Sequence, residues 1–290
     1  GQTISHPYTV AFQTELLELQ GKMKVLEIGT GSGFQTCILC ELGAKVYSIE
    51  RHQDLHLKAA QIIKHLAQHG QDPLSGPVRL GTIYTIAPYL LPKLIAQSRK
   101  ALPKMPLYLQ ENFTVKLLES LKQGDIEAAI LAEPFPLSGL DMIPLYDEPF
   151  VVAVPKGHPW EDLPVIEHTQ LQSQTMLLLG QGHCFRDQVL DICPDVQRAQ
   201  TDGDLGTFEG TSLETIRQMV IGGIGITVMP KTSVEERQGA GEQIRYIPFA
   251  KPVPRRRVVL AWRKSYARTQ AMQALAQAVK DSGLGGVEFL

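Results

Sequence analysis

Short apolar runs alternate along the chain with stretches in which apolar residues recur every three or four positions. The first pattern predicts buried strands and the second predicts amphipathic helices. From residue 78 onward the two patterns follow each other in turn, which is typical of a doubly wound α/β fold. Strands are predicted at residues 78–83, 107–110, 126–132, 151–154, 176–179, 226–228 and 258–262, and helices at 88–101, 115–122, 185–192, 211–221 and 269–279.

Two of these strands divide the region into halves. Residues 151–154 are predicted to cross toward a second half, and residues 258–262 are predicted to lead back. Two crossovers imply two Rossmann-like lobes with a cleft between them, as in periplasmic binding proteins. We therefore predict an α/β fold with lobe I at residues 77–163 plus 264–290 and lobe II at residues 164–263.

The first 55 residues form a separate unit by pattern. A helix is predicted at residues 9–19, and a strand from Lys24 then runs into a Gly-x-Gly-x-Gly turn. A helix at 34–42 and a second strand at 45–50 complete one β-α-β unit. Glycines at the first turn let the backbone approach a nucleotide-like ligand, and Glu50, at the end of the second strand, suits ribose hydroxyls.

This segment resembles protein-L-isoaspartate O-methyltransferase in residues 1–5, 25–33 and 46–51. In that family the glycine motif and the acidic residue hold S-adenosylmethionine, and Ser5 would lie in the substrate loop. The resemblance implies a cofactor site formed by Glu27, Gly29, Gly31, Gly33 and Glu50.

The resemblance stops near Asp54. One β-α-β unit cannot bury both faces of its sheet, so we predict a truncated, inactive methyltransferase that binds S-adenosylmethionine only if the segment folds. Cys37 and Cys40 form a C-x-x-C inside the helix, beside apolar neighbours. Because no second pair exists, zinc is not expected, and both are predicted to be packing residues.

Residues 182–193 hold the strongest chemical signal. Cys184 follows Gly182 and His183 and precedes Arg186 and Asp187, near the start of a predicted short helix. The helix dipole, His183 and Arg186 would favour the reactive thiolate. Cys193 lies nine residues further on, roughly 13 Å away along a continuous helix, whereas a disulfide needs Cα atoms within about 7 Å. A disulfide between them would therefore require the local fold to rearrange. The alternative is that both cysteines are simply buried core residues.

The stretch resembles the redox segment of the OxyR-type hydrogen-peroxide sensors among the LysR-type transcription regulators. Residues 212–230 resemble the signature of the LysR-type sensor domain, in which Thr211 or Ser212 would cap a helix and Gly225 would permit a tight turn. The LysR resemblance covers roughly residues 57–287. Residues 56–76 would be the linker helix and linker of that family, but no helix-turn-helix is recognisable, so this chain alone is not expected to bind DNA.

The resemblance implies that Cys184 is the peroxidatic cysteine and Cys193 the resolving one. Thr85 and Thr114 match hydroxyl residues around the peroxide pocket, and His183, Arg186 and Asp187 flank the cysteine. Arg256 matches an arginine that supports the thiolate. The alternative for residues 255–257 is a solvated strand edge.

Composition limits the function classes further. The formal net charge is −2 and the apolar fraction is 43%, so nothing indicates nucleic-acid binding by the chain as a whole. We find no membrane span or signal peptide, and four cysteines suit a reducing cytoplasm. The expected partners are hydrogen peroxide, a glutaredoxin-like reductant and further copies in a homodimer or homotetramer, with no cofactor needed for sensing. The alternatives are an S-adenosylmethionine-dependent methyltransferase and a solute-binding pair of lobes.

Overall fold

The structure is a computed structural model that describes residues 5–20, 22–69, 72–193, 208–235 and 243–290. The chain divides into two compact units, Gly1–Gly76 and Pro77–Leu290. Residues 1–4 of the methyltransferase-like motif and 70–71 of the predicted linker lie outside the described residues. Within the described ranges, no helix is long and apolar enough to cross a membrane.

The N-terminal unit contains the predicted β-α-β arrangement. Strands β1 and β2 pair in parallel, with Leu26 opposite Tyr47 and Ile28 opposite Ile49. The first helix begins and ends earlier than the predicted 9–19, since Pro7 occupies its first turn, where proline is favoured. The elements are α1 (Pro7–Leu16), β1 (Lys24–Ile28), α2 (Phe34–Glu41), β2 (Lys45–Ile49) and α3 (Gln53–His69).

One face of this small sheet stays open. Leu26, Ile28, Tyr47 and Ile49 are 62%, 81%, 48% and 57% exposed, as expected for a sheet too small to bury both faces. The prediction that both cysteines of the C-x-x-C are packing residues is wrong for Cys40, which is exposed, whereas Cys37 is partly buried. Cys40 lies one residue before the end of the short helix α2 and directly after the buried Leu39, so its side chain points away from the packed face.

Lobe I of the second unit is built on a parallel core of three strands. Strand β3 pairs with β4 on one side and β5 on the other, and β11 adds to β5 in antiparallel orientation. Its elements are β3 (Val78–Ile83), α4 (Ala87–Ala101), β4 (Leu107–Asn112), α5 (Thr114–Gln123), β5 (Ala128–Ala132), β11 (Arg255–Arg263), α8 (Thr269–Lys280) and β12 (Glu288–Phe289).

A single long strand, β6 (Leu140–Pro155), joins the lobes. Its first part pairs with β11, and its second part pairs with β9 (Thr227–Pro230) and β10 (Ile244–Pro248). The predicted lobe boundaries are therefore wrong: the chain passes into lobe II near Phe150, and β11 belongs to lobe I. Asp147, Glu148 and Pro149 interrupt the apolar pattern just before the crossing, but they lie within one continuous strand, so the pattern alone does not give the length of that strand.

Lobe II holds the redox helix. Besides β9, β10 and the second part of β6, it contains a 3₁₀ helix (His168–Ser173), β7 (Leu177–Leu179), α6 (Cys184–Ile192), β8 (Phe208–Gly210), α7 (Leu213–Ile221) and a second 3₁₀ helix (Lys231–Ser233). Strands β7 and β8 pair in parallel. The predicted two-lobed α/β architecture is confirmed. Strands β8, β10 and β12 were not predicted, and each is five residues or shorter.

Two hydrophobic cores fill the described part of this unit, one in each lobe. Cys184 packs against the lobe I core, whereas Phe185, Val189 and Cys193 belong to the lobe II core. Residues four apart on a helix share one face, so Phe185, Val189 and Cys193 form the face of α6 that is buried in lobe II. Helix α6 thus contacts both lobes.

Candidate functional site

Cys184 is the first residue of α6 and is partly buried. Gly182 before it has a φ of 95°, a conformation that favours glycine. Cys184 borders a cavity of about 10 Å³, close to the space that one water-sized molecule needs. The cavity is lined by Ile83, Tyr84, Thr85, Asn112, Phe113, Thr114, Gly182, His183 and Cys184.

Two hydroxyl groups are placed beside the cavity as the sequence predicted. Thr85 and Thr114 both line it and are 3% and 8% exposed. The Thr114 hydroxyl is buried without a hydrogen-bond partner. A buried hydroxyl without a partner is costly, so a small polar molecule in the cavity would satisfy a group that the fold leaves open.

Arg256 reaches the site through Thr85. Its side chain donates to the Thr85 hydroxyl at 2.8 Å and to the Thr85 carbonyl at 3.1 Å. Its guanidinium carbon also lies 5.2 Å from the centre of the Phe185 ring. Arg255 and Arg257 are exposed while Arg256 is buried, so the strand-edge alternative holds for the two neighbours and not for Arg256.

His183 and Arg186, which were predicted to add positive charge near Cys184, are engaged by other groups in the structure. Burial lowers the pKa of His183 and outweighs the opposing effect of its hydrogen bond to the Thr211 backbone. Its ring is therefore neutral at neutral pH, and it packs edge to face against Phe113 with centroids 4.9 Å apart. Arg186 donates to Glu209 at 2.6 Å and to the Leu179 carbonyl at 2.9 Å.

Burial thus disfavours the charged form of His183, and Arg186 is paired with Glu209, while the effect of both residues on the Cys184 thiol stays a prediction. Asp187 is exposed and lies outside the cavity lining. The N-terminus of α6 contributes positive potential at Cys184. The sequence places these residues near the cysteine, but side-chain direction and partners from β8 decide what they contribute.

Cys193 is the C-cap of α6, at the end of the helix opposite Cys184. It is 2% exposed, and its sulfur lies 4.0 Å from the carbonyl oxygen of His168. No disulfide joins Cys184 and Cys193 in this structure. The helix between them is continuous, so the predicted separation of roughly 13 Å applies.

The signature segment of lobe II takes the predicted form. Ser212 caps α7, accepting a hydrogen bond from the Thr215 backbone at 3.1 Å. Gly225 is required for space rather than for an unusual φ, because a side chain there would collide with the Thr175 carbonyl. Its close backbone approach could not be deduced from the turn pattern.

The sequence did not reveal one buried acidic residue near the site. Glu148, on β6, pairs with Arg256 at 2.7 Å, and both side chains are 0% exposed. It also accepts hydrogen bonds from the backbone and the hydroxyl of Thr232. The available signal was a pair of adjacent acidic residues, Asp147 and Glu148, between apolar residues of one strand, since a buried charge requires a partner.

The acidic residues of the N-terminal glycine motif are hydrogen-bonded within the unit itself. Glu50 accepts hydrogen bonds from the backbone of Gly31 at 2.8 Å and of His52 at 2.9 Å. The hydrogen bond from His52, followed by that from Gly31, lowers the pKa of Glu50. The acidic side chain thus occupies the glycine turn, and Glu27 is likewise engaged by the Thr36 and Ser48 hydroxyls.

The other glycines of the motif serve the backbone. Gly29 and Gly33 have φ values of 90° and 80°. A side chain at Gly33 would approach Ala59 at 3.3 Å, so this glycine permits close packing of α3.

Comparisons with known proteins match both parts of the chain. Residues 71–283 match the LysR substrate binding domain. Residues 1–89 match the protein-L-isoaspartate(D-aspartate) O-methyltransferase family, a range that extends beyond the predicted end near Asp54 and overlaps the LysR match.

Relatives of the larger part include two described regulators. The hydrogen peroxide-inducible genes activator of Pectobacterium carotovorum subsp. carotovorum is 35% identical over 235 residues, which are 81% of this chain and 76% of the relative. The DNA-binding transcriptional dual regulator OxyR of Escherichia coli (strain K12) is 36% identical over 225 residues, which are 77% of this chain and 72% of the relative.

The fold of the larger unit is also that of solved OxyR structures. A reduced form of OxyR from N. meningitidis is 46% identical, with a TM-score of 0.69, and the match covers 74% of this chain and 100% of that one. Since the family match spans residues 71–283 and the relatives are similar over most of their length, this chain belongs to the LysR-type regulators, with a substrate-binding domain of the OxyR type.

Proposed function

We propose that residues 77–290 sense hydrogen peroxide and convert its reduction into a conformational change through a Cys184–Cys193 disulfide. One observation carries the proposal: Cys184 borders a small cavity with hydroxyl groups at one end of α6, while Cys193 is buried in a different core at the other end. The relative from Pectobacterium carotovorum subsp. carotovorum named above is a hydrogen peroxide-inducible genes activator.

The first step is a two-electron oxidation of Cys184. Its thiolate attacks one oxygen of hydrogen peroxide, an S–O bond forms and the O–O bond breaks. The departing oxygen leaves as hydroxide and takes up a proton to become water. The hydroxyls of Thr85 and Thr114 line the cavity, where they are suited to hold the peroxide and to donate hydrogen bonds to the departing oxygen.

The second step closes the disulfide. The Cys193 sulfur attacks the sulfur of the Cys184 sulfenic acid, the S–O bond breaks, and hydroxide leaves and is protonated to water. Because a disulfide needs Cα atoms within about 7 Å, helix α6 must unwind before the bond can form. Unwinding removes a helix that contacts both lobes, and this change would be transmitted to a subunit interface.

The cycle returns to the dithiol by reduction. A glutaredoxin-like thiol system would supply two electrons by thiol–disulfide exchange, after which α6 refolds. We further propose that the chain acts in transcriptional control as a homodimer or homotetramer in the cytoplasm. The names of two relatives, a hydrogen peroxide-inducible genes activator and the DNA-binding transcriptional dual regulator OxyR, support this assignment.

The test is thiol mass spectrometry after addition of one equivalent of hydrogen peroxide. In a Cys37→Ser/Cys40→Ser background, we expect a loss of two hydrogens and a single Cys184–Cys193 linked peptide. Cys193→Ser should stop at the sulfenic acid, trapped with dimedone, and Cys184→Ser should remain unmodified. Oxidation of Cys193 by peroxide in Cys184→Ser, or no modification of the parent chain, would overturn the proposal.

For the N-terminal unit we propose no S-adenosylmethionine-dependent activity. The engagement of Glu50 by the glycine turn supports this view. Calorimetric titration of the full chain with S-adenosylmethionine is the test, and saturable binding in the micromolar range would instead favour the methyltransferase alternative.

A further inference from the structure

Behind the cavity lies an ion pair that is completely buried. The Nε atom of Arg256 donates to a Glu148 carboxylate oxygen at 2.7 Å, and neither side chain is exposed. Ion pairs of this kind contribute little to stability by themselves, because removing two charges from water costs about as much as their attraction returns. Stability alone therefore does not account for this pair.

Glu148 fixes which edge of the guanidinium faces the cavity. Nε bonds to Glu148, so the terminal nitrogens of Arg256 are directed to Thr85, donating to its hydroxyl at 2.8 Å and to its carbonyl at 3.1 Å. A guanidinium only donates hydrogen bonds. The Thr85 hydroxyl must therefore act as the acceptor toward Arg256, and its own proton remains to be donated elsewhere.

Lobe II in turn fixes Glu148. The backbone N–H of Thr232 donates to the carboxylate at 3.0 Å, and the Thr232 hydroxyl donates to the same oxygen. Thr232 lies in the second 3₁₀ helix, which follows strand β9 of lobe II. A chain of hydrogen bonds thus runs from Thr232 through Glu148 and Arg256 to Thr85, which lines the cavity beside Cys184.

We propose that Glu148 and Thr232 are positioning residues for the reaction of Cys184 with peroxide, acting through Arg256 to turn the Thr85 hydroxyl into a donor aimed at the cavity. This inference rests on the proposed function. The donor is needed where hydroxide departs, because developing negative charge on oxygen is stabilised by a placed hydrogen-bond donor. Iodide departing from iodoacetamide has no such need, so alkylation of the same thiol serves as an internal reference.

The experiment compares two rate constants in one background. In Cys37→Ser/Cys40→Ser/Cys193→Ser, the second-order rate of Cys184 with hydrogen peroxide and with iodoacetamide is measured for Glu148→Gln and Thr232→Val. We expect the peroxide rate to fall by about tenfold or more in Glu148→Gln, and less in Thr232→Val, which keeps the backbone hydrogen bond. Alkylation should change by no more than about twofold.

Asp147→Asn is the matched control. Asp147 is adjacent to Glu148 on β6 and pairs with Arg257 at 2.8 Å, but it does not line the cavity. This substitution breaks a neighbouring carboxylate–arginine pair, and both rates should stay at the parent value. A fall in the peroxide rate as large as that of Glu148→Gln would show that any broken pair on this strand has the same effect, and would overturn the inference.

A double substitution tests the route of action. Glu148→Gln in a Thr85→Val background should cost nothing further, because the donor that Glu148 positions is already gone. A full additional loss, equal losses in both reactions, or an unchanged peroxide rate would each overturn the inference. If Glu148→Gln fails to fold, the two rates of Thr232→Val still test the inference. If the parent background itself does not react with peroxide at Cys184, the proposed function fails, which is a separate outcome.

Discussion

Cys184 and Cys193 lie at opposite ends of helix α6 and pack into the cores of different lobes. Burial in lobe II holds Cys193 in place, and Cys184 packs against lobe I. The reduced arrangement is therefore stabilised by packing in both lobes. A disulfide between these two sulfurs can form only if this packing is disrupted. Its formation should therefore change the structure of α6.

Hydrogen exchange of the backbone amides should detect this change in α6. After oxidation we expect the amides of residues 185–192 to exchange faster, because their helical hydrogen bonds are lost when α6 unwinds. Cys193→Ser, which can form the sulfenic acid but not the disulfide, should keep the protection of the reduced protein under the same peroxide dose. Equal protection of α6 in the reduced and oxidised parent chains would contradict an unwinding switch.

Removing the unpartnered hydroxyl of Thr114 should lower the rate of Cys184 with peroxide without lowering the stability of the protein. Thr114→Val removes a buried hydroxyl that has no hydrogen-bond partner, so the free energy of unfolding should rise or stay within about 1 kcal/mol. The peroxide rate of Cys184 should nevertheless fall by about tenfold. Thr82→Val is the control, since the Thr82 hydroxyl is also buried without a partner but lies outside the cavity lining. A similar loss of rate in both variants would disprove the role of Thr114.

Arg256 should matter far more for stability than its neighbour in sequence. Arg256→Met leaves Glu148 as a buried carboxylate without its counterion, which should lower the free energy of unfolding by about 3–5 kcal/mol. Arg255→Met removes a guanidinium that is 56% exposed and pairs with Glu288 at 3.2 Å, and it should cost at most about 1 kcal/mol. Urea unfolding followed by circular dichroism measures both values, and equal losses would argue against the buried pair.

His183 should make stability depend on pH below neutrality. Burial lowers its pKa in the folded state, whereas an unfolded histidine titrates near about 6.5. The stabilising contribution is complete above the unfolded pKa. As the pH falls below it, the unfolded chain binds a proton that the folded chain does not, so the free energy of unfolding decreases. In His183→Gln the decrease between about pH 7.5 and pH 5.5 should be smaller, as urea unfolding at several pH values can establish. Identical pH profiles for the two proteins would refute this assignment.

Local sequence was sufficient for the elements that depend on nearby residues. The spacing of apolar residues predicted α6 to within one residue of its observed start, and Gly182 marked the turn before it. The same kind of pattern failed at β6, because one strand runs through both lobes and its residues are buried in each. Short strands such as β8 offered too few residues for a period to be seen.

The sequence by itself determined the alternation of strands and helices, the position of a reactive thiol at a helix start, and the distance along that helix to the second thiol. These features depend on contacts between residues close together in the chain. Tertiary structure decided the charges and hydrogen bonds around the thiol. It gave Arg186 a partner in Glu209, left His183 neutral through burial, and joined Arg256 to Glu148 and Thr85, which lie 108 and 171 residues away in sequence. Such contacts arise only when the lobes pack, because pKa values and buried ion pairs depend on groups that the fold, and not the chain order, brings together.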